Sequence, residues 1–367
     1  MNPVISQIAD NEGILEFTLS GVNVSLANAI RRTILSDIPT LVFNTEIYND
    51  NQCKIQTNTT RLHNEILKQR LSCVPIHMKE LDVLPDNYIL VLDVKNDTEN
   101  MVIVTTEDFR IKNKQNEKFL TLDEVHKIFP PNIKTGMYID FARLRAKISE
   151  TIPGEHLQLT CEFSVHTAKE NCMYNVVSKC SYGNTIDITK ANSVWEEQEA
   201  KLKTDELSGE DIEFHKRNFY LLDAQRYFVP DSFDFAVKTV GVFENQEIVK
   251  KACTILHDKF IDFIQAIDAE SISVHNSETT IDNCFDITLE NEDYTMGKLI
   301  EYVLYEKLFI KDKTLTFCGF KKFHPHSSDS VIRVAYKTAV DKNTIKQHLR
   351  VACIEITEVL KKLQTMF

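Results

Sequence analysis

A segment near the start of the chain is repeated near its end. Residues 16 to 35, EFTLSGVNVSLANAIRRTIL, align without a gap at an offset of 270 with residues 286 to 305, DITLENEDYTMGKLIEYVLY. Each copy reads as a strand, a polar connection, a hydroxyl N-cap (Ser25 and Thr295) and an amphipathic helix. The repeat predicts two copies of one supersecondary unit in a single polypeptide. These residues alone leave an alternative open: any two strand-loop-helix segments resemble each other to some extent, without being a repeat.

Each half of the chain also ends in a long amphipathic helix. The apolar residues of each recur three and four positions apart, along one face. Burying six such side chains contributes on the order of 10 kcal/mol before entropy is subtracted, so neither face is expected to meet water. The economical solution is a pseudo-two-fold pair of halves, joined by a polar tether at residues 266 to 282. The predicted internal interface comprises Val249, Ala252, Leu256, Phe260, Phe263, Ile345, Leu349, Ala352, Ile356, Val359 and Leu363.

Between the two copies, short apolar runs alternate with polar segments. The runs at residues 41 to 47, 88 to 94 and 101 to 105 predict strands of a mixed sheet.

Two further helices are predicted. One covers residues 58 to 71, with Leu62, Ile66 and Leu71 roughly on one side. A charged stretch at residues 191 to 217, around Trp195, predicts a solvated helix.

Glycine and charge exclude several classes of protein. The chain has 9 glycines in 367 residues, and no two lie closer than eight positions apart. Phosphate-cradling loops of the Walker and dinucleotide types need closely spaced glycines, so both are excluded. The formal net charge of −12 also argues against stand-alone binding of nucleic acid.

The charge is unevenly distributed. Residues 281 to 367 carry 13 basic and 12 acidic residues, a net charge of +1, whereas residues 1 to 280 carry a net charge of −13. The last quarter of the chain is therefore electrostatically separate.

Targeting signals and disulfides are not expected. No apolar run approaches the roughly 18 residues that cross a bilayer, and the first residues lack an apolar signal core. The 9 cysteines are scattered and include no CxxC pair. An intracellular protein with reduced thiols is predicted.

Chemistry-bearing clusters are sparse. The densest soft-ligand group is His156, Cys161, His166, Cys172 and Cys180, whose spacings do not match zinc knuckles. No nucleophile elbow, HExxH motif or aspartate cluster occurs. We therefore expect no catalysis, no metal and no cofactor. The alternative is a free-standing metal-dependent enzyme that uses the region from His156 to Cys180.

Arg31 and Arg32 are adjacent on the first predicted helix. Neighbouring helical side chains point about 100° apart, so at most one arginine joins the apolar face. The other requires water, a carboxylate or a phosphate. From periodicity alone, a solvated surface is as good an interpretation as a binding site.

These residues also carry a resemblance to a known family. Residues 28 to 39, NAIRRTILSDIP, resemble the N-A-L-R-R-x-L-L-S-x-x-P signature of the alpha-type assembly subunit of multisubunit RNA polymerases. Residues 58 to 76, NTTRLHNEILKQRLSCVPI, resemble its N-T-S-x-L-x-D-E-x-L-x-x-R-L-x-x-I-P-[IL] motif, and residues 233 to 241, FDFAVKTVG, its F-x-F-x-V-E-S-x-G.

The last part of the chain resembles the smaller partner of that subunit. Residues 290 to 300, ENEDYTMGKLI, are similar to E-D-H-T-L-G-N-L-L, and residues 318 to 326, CGFKKFHPH, to the A-G-Y-x-x-x-H-P turn. The resemblance implies an α+β fold in which two dimerisation domains, ordinarily separate polypeptides, are fused. The predicted domains are a first dimerisation domain (1–47 and 220–267), an inserted mixed-sheet domain (48–219), a linker (268–280) and a second dimerisation domain (281–367).

Two features depart from the family. Many archaeal and eukaryotic members carry a metal-binding cysteine cluster after the I-P-[IL] motif, but residues 76 to 150 contain no cysteine. The resemblance therefore does not imply a metal site in this chain. The fusion itself resembles an arrangement of large DNA viruses of eukaryotes, which implies transcription in a virion or a cytoplasmic viral factory, or in the nucleus if the origin is not viral.

The resemblance implies a non-catalytic scaffold that is present once per polymerase. Its expected partners are the largest and second-largest subunits, which hold the active site, and small subunits of the same platform. Neither membrane binding nor sequence-specific binding of nucleic acid is expected. A regulator that binds polymerase from outside is a further alternative. The predicted partner interface comprises Asn28, Arg31, Arg32, Glu65, Arg70, Leu71 and Pro75.

Overall fold

The computed structural model describes residues 1–149, 151–204 and 208–367. They form two compact units: residues 1–34, 179–238 and 245–367 make the first, and residues 35–178 and 239–244 make the second. The strands are β1 (Val4–Asn11), β2 (Ile14–Ser20), β3 (Thr40–Val42), β4 (Cys53–Asn58), β5 (Tyr88–Lys95), β6 (Val102–Thr105), β7 (Arg110–Asn113), β8 (Asp140–Leu144), β9 (His156–Glu162), β10 (Ser164–His166), β11 (Val177–Ile186), β12 (Phe228–Thr239), β13 (Val274–Asn276), β14 (Cys284–Leu289), β15 (Leu315–Lys321) and β16 (Ser330–Tyr336). The helices are α1 (Val24–Ser36), α2 (Asn64–Ser72), α3 (Leu122–Ile128), α4 (Ile188–Thr204), α5 (Gly209–Leu221), α6 (Asn245–Asp268), α7 (Tyr294–Leu304) and α8 (Lys342–Gln364).

The first half of the first unit is a sheet in the order β1-β2-β12-β11, with α1 and α6. Strand β2 pairs antiparallel with both β1 and β12. Its residues Leu15, Phe17 and Leu19 are buried on one face, as the period of two in a strand requires. The ring of Phe17 stacks on that of Phe235 at 5.0 Å between centroids, which fixes the core of this sheet.

The second half of the first unit repeats this arrangement. Its antiparallel sheet runs β13-β14-β16-β15, and α7 and α8 pack beside it. Strands β2 and β14 begin at Ile14 and Cys284, and helices α1 and α7 begin at Val24 and Tyr294, both at the offset of 270. The repeat predicted from the sequence is confirmed.

The N-caps of the two repeated helices differ from the prediction. The Ser25 amide donates to Asn23 Oδ1 at 2.9 Å, and the Thr295 amide donates to Asp293 Oδ1 at 2.8 Å. The hydroxyl residues therefore lie inside the helices, and the caps are the Asn and Asp two positions earlier. Side chains of this length bond the backbone N–H two residues on.

Helices α6 and α8 pack against each other inside the first unit. Of the residues predicted to form the internal interface, only Phe263 is half-buried, and the rest are buried. The apolar faces that the sequence placed away from water are thus covered by packing.

The predicted tether and linker contain regular structure at two places. Helix α6 continues to Asp268, and β13 pairs with β14 at the edge of the second sheet. Val274 is buried opposite Ile287 in this pair. The sequence analysis missed this strand because its composition is polar, and an edge strand buries few of its side chains.

The stretch predicted as one solvated helix forms two, α4 and α5, and its residues 205–207 lie outside the described residues. Trp195 is buried and contacts Phe219, with 5.5 Å between ring centroids. Ala191 and Ala224 complete this small cluster. The prediction of a single helix was wrong, whereas most of the described residues in this stretch are exposed or half-buried, and only Ala191 and Trp195 are buried.

The second unit contains a sheet in the order β4-β9-β5-β7 and two small sheets, β6-β8 and β10-β3. Its strand pairings are antiparallel, so the prediction of a mixed sheet was wrong. Apolar alternation reports which residues face the core and carries no information on the direction of a neighbour. Phe109 anchors the core, with edge contacts to Phe129 at 5.2 Å and Phe141 at 5.6 Å.

Helix α2 begins later than predicted. Asn58 ends β4, and its Oδ1 accepts from the Thr60 amide at 3.0 Å in an Asx turn. Ile66 is 40% exposed, whereas Leu67 and Leu71 are buried. The prediction was therefore correct for Leu71 and wrong for Ile66, whose place in the buried face Leu67 takes.

The boundaries of the two units differ from the predicted domains. Residues 179–219 belong to the first unit, where β11 lies beside β12 in the sheet. Residues 35–47 belong to the second unit, where β3 pairs with β10. Strand pairing, which the sequence does not display, sets both boundaries.

Candidate assembly surface

Helix α1 carries the predicted interface residues Asn28, Arg31 and Arg32. Its inward face buries Leu26, Ile30 and Ile34, whereas the three polar residues are half-buried beside it. The helical period therefore sorts the segment into a core face and a polar face.

Arg31 is held by its neighbour on the helix. Its Nε and Nη2 both donate to Asn28 Oδ1, at 3.1 and 2.9 Å. Within the described residues, no carboxylate pairs with this guanidinium. Two of its five N–H donors are used, so three are available to another group.

Arg32 joins the two halves of the first unit. Its Nε donates to Thr295 Oγ1 at 2.8 Å, and its Nη2 lies 2.5 Å from Asp293 Oδ2. Both residues belong to the N-terminus of α7. The charge that the sequence assigned to an outside partner is therefore neutralised inside the unit, and only 34% of the side chain is exposed.

The environment of Asp293 stabilises its charged form. Burial alone would raise its pKa, but hydrogen bonds from the backbone and side chain of Thr295 and the charge of Arg32 outweigh this effect. The pKa of Asp293 consequently lies below its ordinary value, and the ion pair persists at neutral pH.

A groove of about 430 Å³ lies between α1 and α7. Ser25 and Asn28 line it from α1, and Glu301 and Tyr302 line it from α7. Lys298 also faces the groove, where its ammonium lies 2.5 Å from Glu301 Oε2. The charges of the groove wall therefore compensate each other.

Three tyrosines border this groove. Burial raises the pKa of Tyr182 and that of Tyr302, so both phenols are neutral. The Tyr182 ring is fixed by Phe235, at 5.3 Å between centroids, and the Tyr305 ring stacks on Phe309 at 4.9 Å. The groove thus presents rigid aromatic walls with polar tips.

The groove and the Arg32 ion pair occupy equivalent places in the repeat. Tyr302 lies 270 residues after Arg32, and the cap Asn23 lies 270 residues before Asp293. On one side a cation meets an anionic cap and closes the space. On the other side Tyr302 stands at the position of Arg32 and lines the open groove.

Further contacts tie the two halves of the first unit together. Arg350 Nε lies 2.8 Å from Asp268 Oδ1, which links α8 to the end of α6. The ring of Phe367 meets the edge of Phe17 at 5.1 Å between centroids. Charged and aromatic contacts thus flank the buried faces of α6 and α8.

The predicted interface residues of the second unit differ in exposure. Glu65 is exposed and Pro75 half-buried, so both remain available to a partner. Leu71 is fully buried, which contradicts its predicted role. Arg70 donates to the carbonyls of Phe141 and Asp140 at 2.8 and 2.6 Å, so its hydrogen bonds hold α2 to β8.

The group from His156 to Cys180 does not converge on one point. His156 Nε2 lies 2.7 Å from Asp93, and His166 Nδ1 lies 2.5 Å from Glu170. Cys161 is buried in the core of the second unit, whereas Cys180 belongs to the first unit. In the described part of the chain, no three His, Cys, Asp or Glu side chains are placed to hold a metal ion.

None of the helices that the structure describes combines the length and the apolar character that crossing a bilayer requires.

Sequence reasoning missed Asp293, Tyr182, Tyr302 and Tyr305. The repeat could have indicated two of them, because its offset of 270 aligns Asp293 with Asn23 and Tyr302 with Arg32. No signal marks Tyr182, which approaches α1 only through the pairing of β11 in the sheet.

Comparison with known proteins gives two matches to one domain type. The family model of the RNA polymerase Rpb3/Rpb11 dimerisation domain matches residues 16–260, and a second model of the same description matches residues 284–365. The DNA-directed RNA polymerase subunit Rpo3 of Pyrococcus horikoshii is 27% identical over 286 residues, which cover 72% of this chain and 98% of that protein. Subunit RPAC1 of human RNA polymerases I and III is 24% identical over 300 residues, covering 71% of this chain and 83% of that protein. A conjugation stage-specific protein of Tetrahymena thermophila is 23% identical over 296 residues, covering 68% and 90%.

Proposed function

The chain belongs to the RNA polymerase Rpb3/Rpb11 dimerisation family, and from this premise we propose that it is a non-catalytic assembly scaffold of a DNA-dependent RNA polymerase. The resemblance predicted from the sequence is confirmed at the level of the family. One observation carries the proposal: a single polypeptide contains two dimerisation domains, and the long helices of the two, α6 and α8, pack against each other.

In this proposal the two halves form an intramolecular pseudo-heterodimer. The first half takes the part of the larger alpha-type subunit, and the second half takes the part of its smaller partner. Fusion replaces a bimolecular association by an internal one at high effective concentration. Burial of the α6 and α8 faces and the Arg350–Asp268 ion pair support this pairing.

The proposed partners are the two largest polymerase subunits, which would hold the active site, and small subunits of the same platform. Asn28 and Arg31 on α1 form the first docking surface, and Glu65 and Pro75 of the second unit contribute to another. One copy enters each polymerase. The net charge of −12 agrees with a subunit that does not bind nucleic acid by itself.

The proposed location of the protein is the compartment in which its polymerase transcribes DNA. The chain would act in the nucleus, or in a virion or cytoplasmic viral factory if its origin is viral. The viral origin stays a prediction.

Co-expression tests the proposal directly. The tagged chain is expected to co-purify with the largest and second-largest subunits from its source at one copy per enzyme. Expressed alone, it is expected to be a monomer by light scattering at all concentrations. Absence of the large subunits from the purified complex would disprove the scaffold role, and a mass that rises with concentration would disprove the internal pairing.

A further inference from the structure

We propose that Cys53 and Cys161 form a reversible oxidation site, at which hydrogen peroxide joins strands β4 and β9 by a disulfide. Both cysteines lie in the four-stranded sheet of the second unit, and both are free thiols in this structure. The scaffold role proposed above does not use them, so the site can be tested on the purified chain without any polymerase partner.

The two cysteines lie directly opposite each other on neighbouring antiparallel strands. Cys53 begins β4 and pairs with Cys161 of β9. The amide of Glu162 donates to the carbonyl of Gln52 at 3.3 Å. This bond joins the residues that flank the pair, so the cysteines occupy a non-hydrogen-bonded position of the ladder, where Cα atoms are about 4.5 Å apart. Disulfides span Cα separations of about 4.4 to 6.8 Å, so the register permits the bond.

Both side chains lie on the buried face of the sheet. On β9, Leu157, Leu159 and Cys161 are buried at every second position, as the period of a strand requires. Cys53 is only 2% exposed and belongs with Cys161 to the hydrophobic core of the second unit. The Cys161 thiol donates a hydrogen bond to the Cys53 sulfur, so the two sulfur atoms are already in contact. Disulfide formation therefore requires rotation of side chains and no change of strand pairing.

The surroundings make Cys53 the nucleophile of the pair. The hydrogen bond from Cys161 and the charge of Lys68 outweigh burial, so the pKa of Cys53 lies below its ordinary value. Burial and the same hydrogen bond raise the pKa of Cys161. Because the thiolate is the form that an oxidant attacks, Cys53 reacts first and Cys161 acts as the resolving thiol.

A cavity beside Cys53 gives a small oxidant a route to the thiol. It has a volume of about 640 Å³, and Asn51 and Lys68 are among the residues that line it. The Asn51 side chain accepts from the Cys53 amide at 3.0 Å and donates to the Cys53 carbonyl at 3.1 Å. The wall of the cavity is therefore bonded to the backbone of the cysteine. Hydrogen peroxide is little larger than water, which favours it over a bulky disulfide as the oxidant of a buried thiol.

The oxidation proceeds in two balanced steps. The Cys53 thiolate attacks one oxygen of hydrogen peroxide and the O–O bond breaks, which leaves a sulfenic acid on Cys53 and hydroxide that is protonated to water. The Cys161 sulfur then attacks the Cys53 sulfur, the S–O bond breaks, and the leaving hydroxide takes the Cys161 proton as a second water. In sum, two thiols and one peroxide give one disulfide and two waters, and a thiol reductant reverses the bond.

The bond stabilises the second unit. It joins an edge strand of the sheet to the neighbouring strand and closes a loop of about 100 residues. A loop of this length restricts the unfolded chain strongly, so the oxidised chain should unfold less readily than the reduced one.

Peptide mapping after peroxide treatment is the primary test. The reduced chain and a Cys73→Ser/Cys172→Ser variant, which lacks the exposed thiols, are treated with hydrogen peroxide, alkylated and digested without reductant. In both proteins we expect a linked peptide pair that contains Cys53 and Cys161 and that dithiothreitol separates. Cys253 is the matched buried control, because burial raises its pKa to about 12 and it should stay reduced.

Single substitutions separate the roles of the two thiols. Cys161→Ala should stop the reaction at a sulfenic acid on Cys53, which dimedone traps, whereas Cys53→Ala should protect Cys161 from oxidation. Lys68→Gln should slow the oxidation severalfold and Lys68→Arg should retain its rate, because the charge favours the thiolate. Thermal unfolding of the reduced variants reveals any folding defect, and in that case the mapping of the wild-type chain decides.

Thermal unfolding also measures the consequence of the bond. Oxidised wild type should unfold at least about 4 °C above the reduced chain, and dithiothreitol should abolish this difference. A linked chain that unfolds at the same temperature would overturn the stabilising role. A disulfide between Cys73 and Cys172 in place of the proposed one would overturn the site itself, as would oxidation of Cys53 no faster than that of Cys253.

Discussion

The guanidinium of Arg32 donates a hydrogen bond of 2.8 Å to the hydroxyl of Thr295, a residue 263 positions later in the chain. The bond joins the middle of α1 to the first turn of α7, and the carboxylate of Asp293 completes it from the cap position. An arginine that the sequence assigned to an outside partner is therefore part of the internal joint between two repeated helices.

Replacing Arg32 is expected to loosen this joint. Arg32→Ala removes both hydrogen bonds to α7 and leaves Asp293 without its cation. Because about a third of each side chain is exposed, we expect a loss of about 1 kcal/mol in the free energy of unfolding. Urea unfolding measures it, with Arg217→Ala as the control. Equal stability of Arg32→Ala and wild type would contradict the role of this bond.

The pH dependence of stability is expected to report on Asp293. In the unfolded chain this aspartate titrates near 3.8, and in the folded chain its pKa is lower. Its contribution is therefore fully present above pH 3.8 and is lost as the pH falls through the folded pKa. The difference in stability between wild type and Asp293→Asn should shrink across that window. Asparagine preserves the cap, as Asn23 does for α1.

The Asp293 experiment has a built-in control. In an Arg32→Met background, the same substitution should produce a smaller difference, because the cation that favours the charged form is gone. A difference that stays constant from about pH 6 to about pH 3 would exclude the proposed origin of the effect.

Gly297 is expected to resist substitution although it lies inside a helix. Alanine normally favours a helix by about 1 kcal/mol over glycine. At this position, however, a Cβ atom would overlap the ring of Phe320, which itself packs on Tyr294 at 5.0 Å between centroids. We expect Gly297→Ala to destabilise the protein by about 1 to 3 kcal/mol in thermal unfolding. Gly209→Ala is the control. Apart from its chain neighbours and the backbone of its own helix, no atom of the described residues lies within 4 Å of its Cβ position, so a neutral or stabilising effect is expected.

Periodicity predicted the elements that bury a broad apolar face. The buried faces of α6 and α8 were correct at nearly every position, because a core face leaves a three-and-four spacing in the sequence. The offset of 270 also placed two strands and two helices correctly. Element boundaries were less accurate: Asn58 and Asp293 act through short side-chain bonds to the backbone, and hydrophobicity does not record these.

The site was harder to predict because it depends on which elements meet. The sequence singled out Arg31 and Arg32 equally, and only the structure separates them, one paired with Asp293 and the other bonded to Asn28. Leu71 was assigned to a surface although it belongs to the core. An arginine pair on a helix is ambiguous until the neighbouring helix is known.

Thiol labelling is expected to distinguish the exposed cysteines from the buried cysteines of α6 and α8. Cys73 and Cys172 are exposed, and should react first with a thiol reagent. Because burial raises the pKa of Cys73, its rate should increase steeply with pH, and Cys73→Ser should remove one rapidly reacting thiol.

Cys253 lies on α6 and Cys353 on α8, and burial raises the pKa of each to about 12. Both should react only when the two helices part, so we expect them to be labelled at one common rate, detected by mass spectrometry of the digested chain. Arg32→Ala and Leu349→Ala should accelerate both thiols together, because each change weakens the packing of the two halves. Independent rates for Cys253 and Cys353 would show that the helices open separately, and would argue against a single cooperative pseudo-dimer.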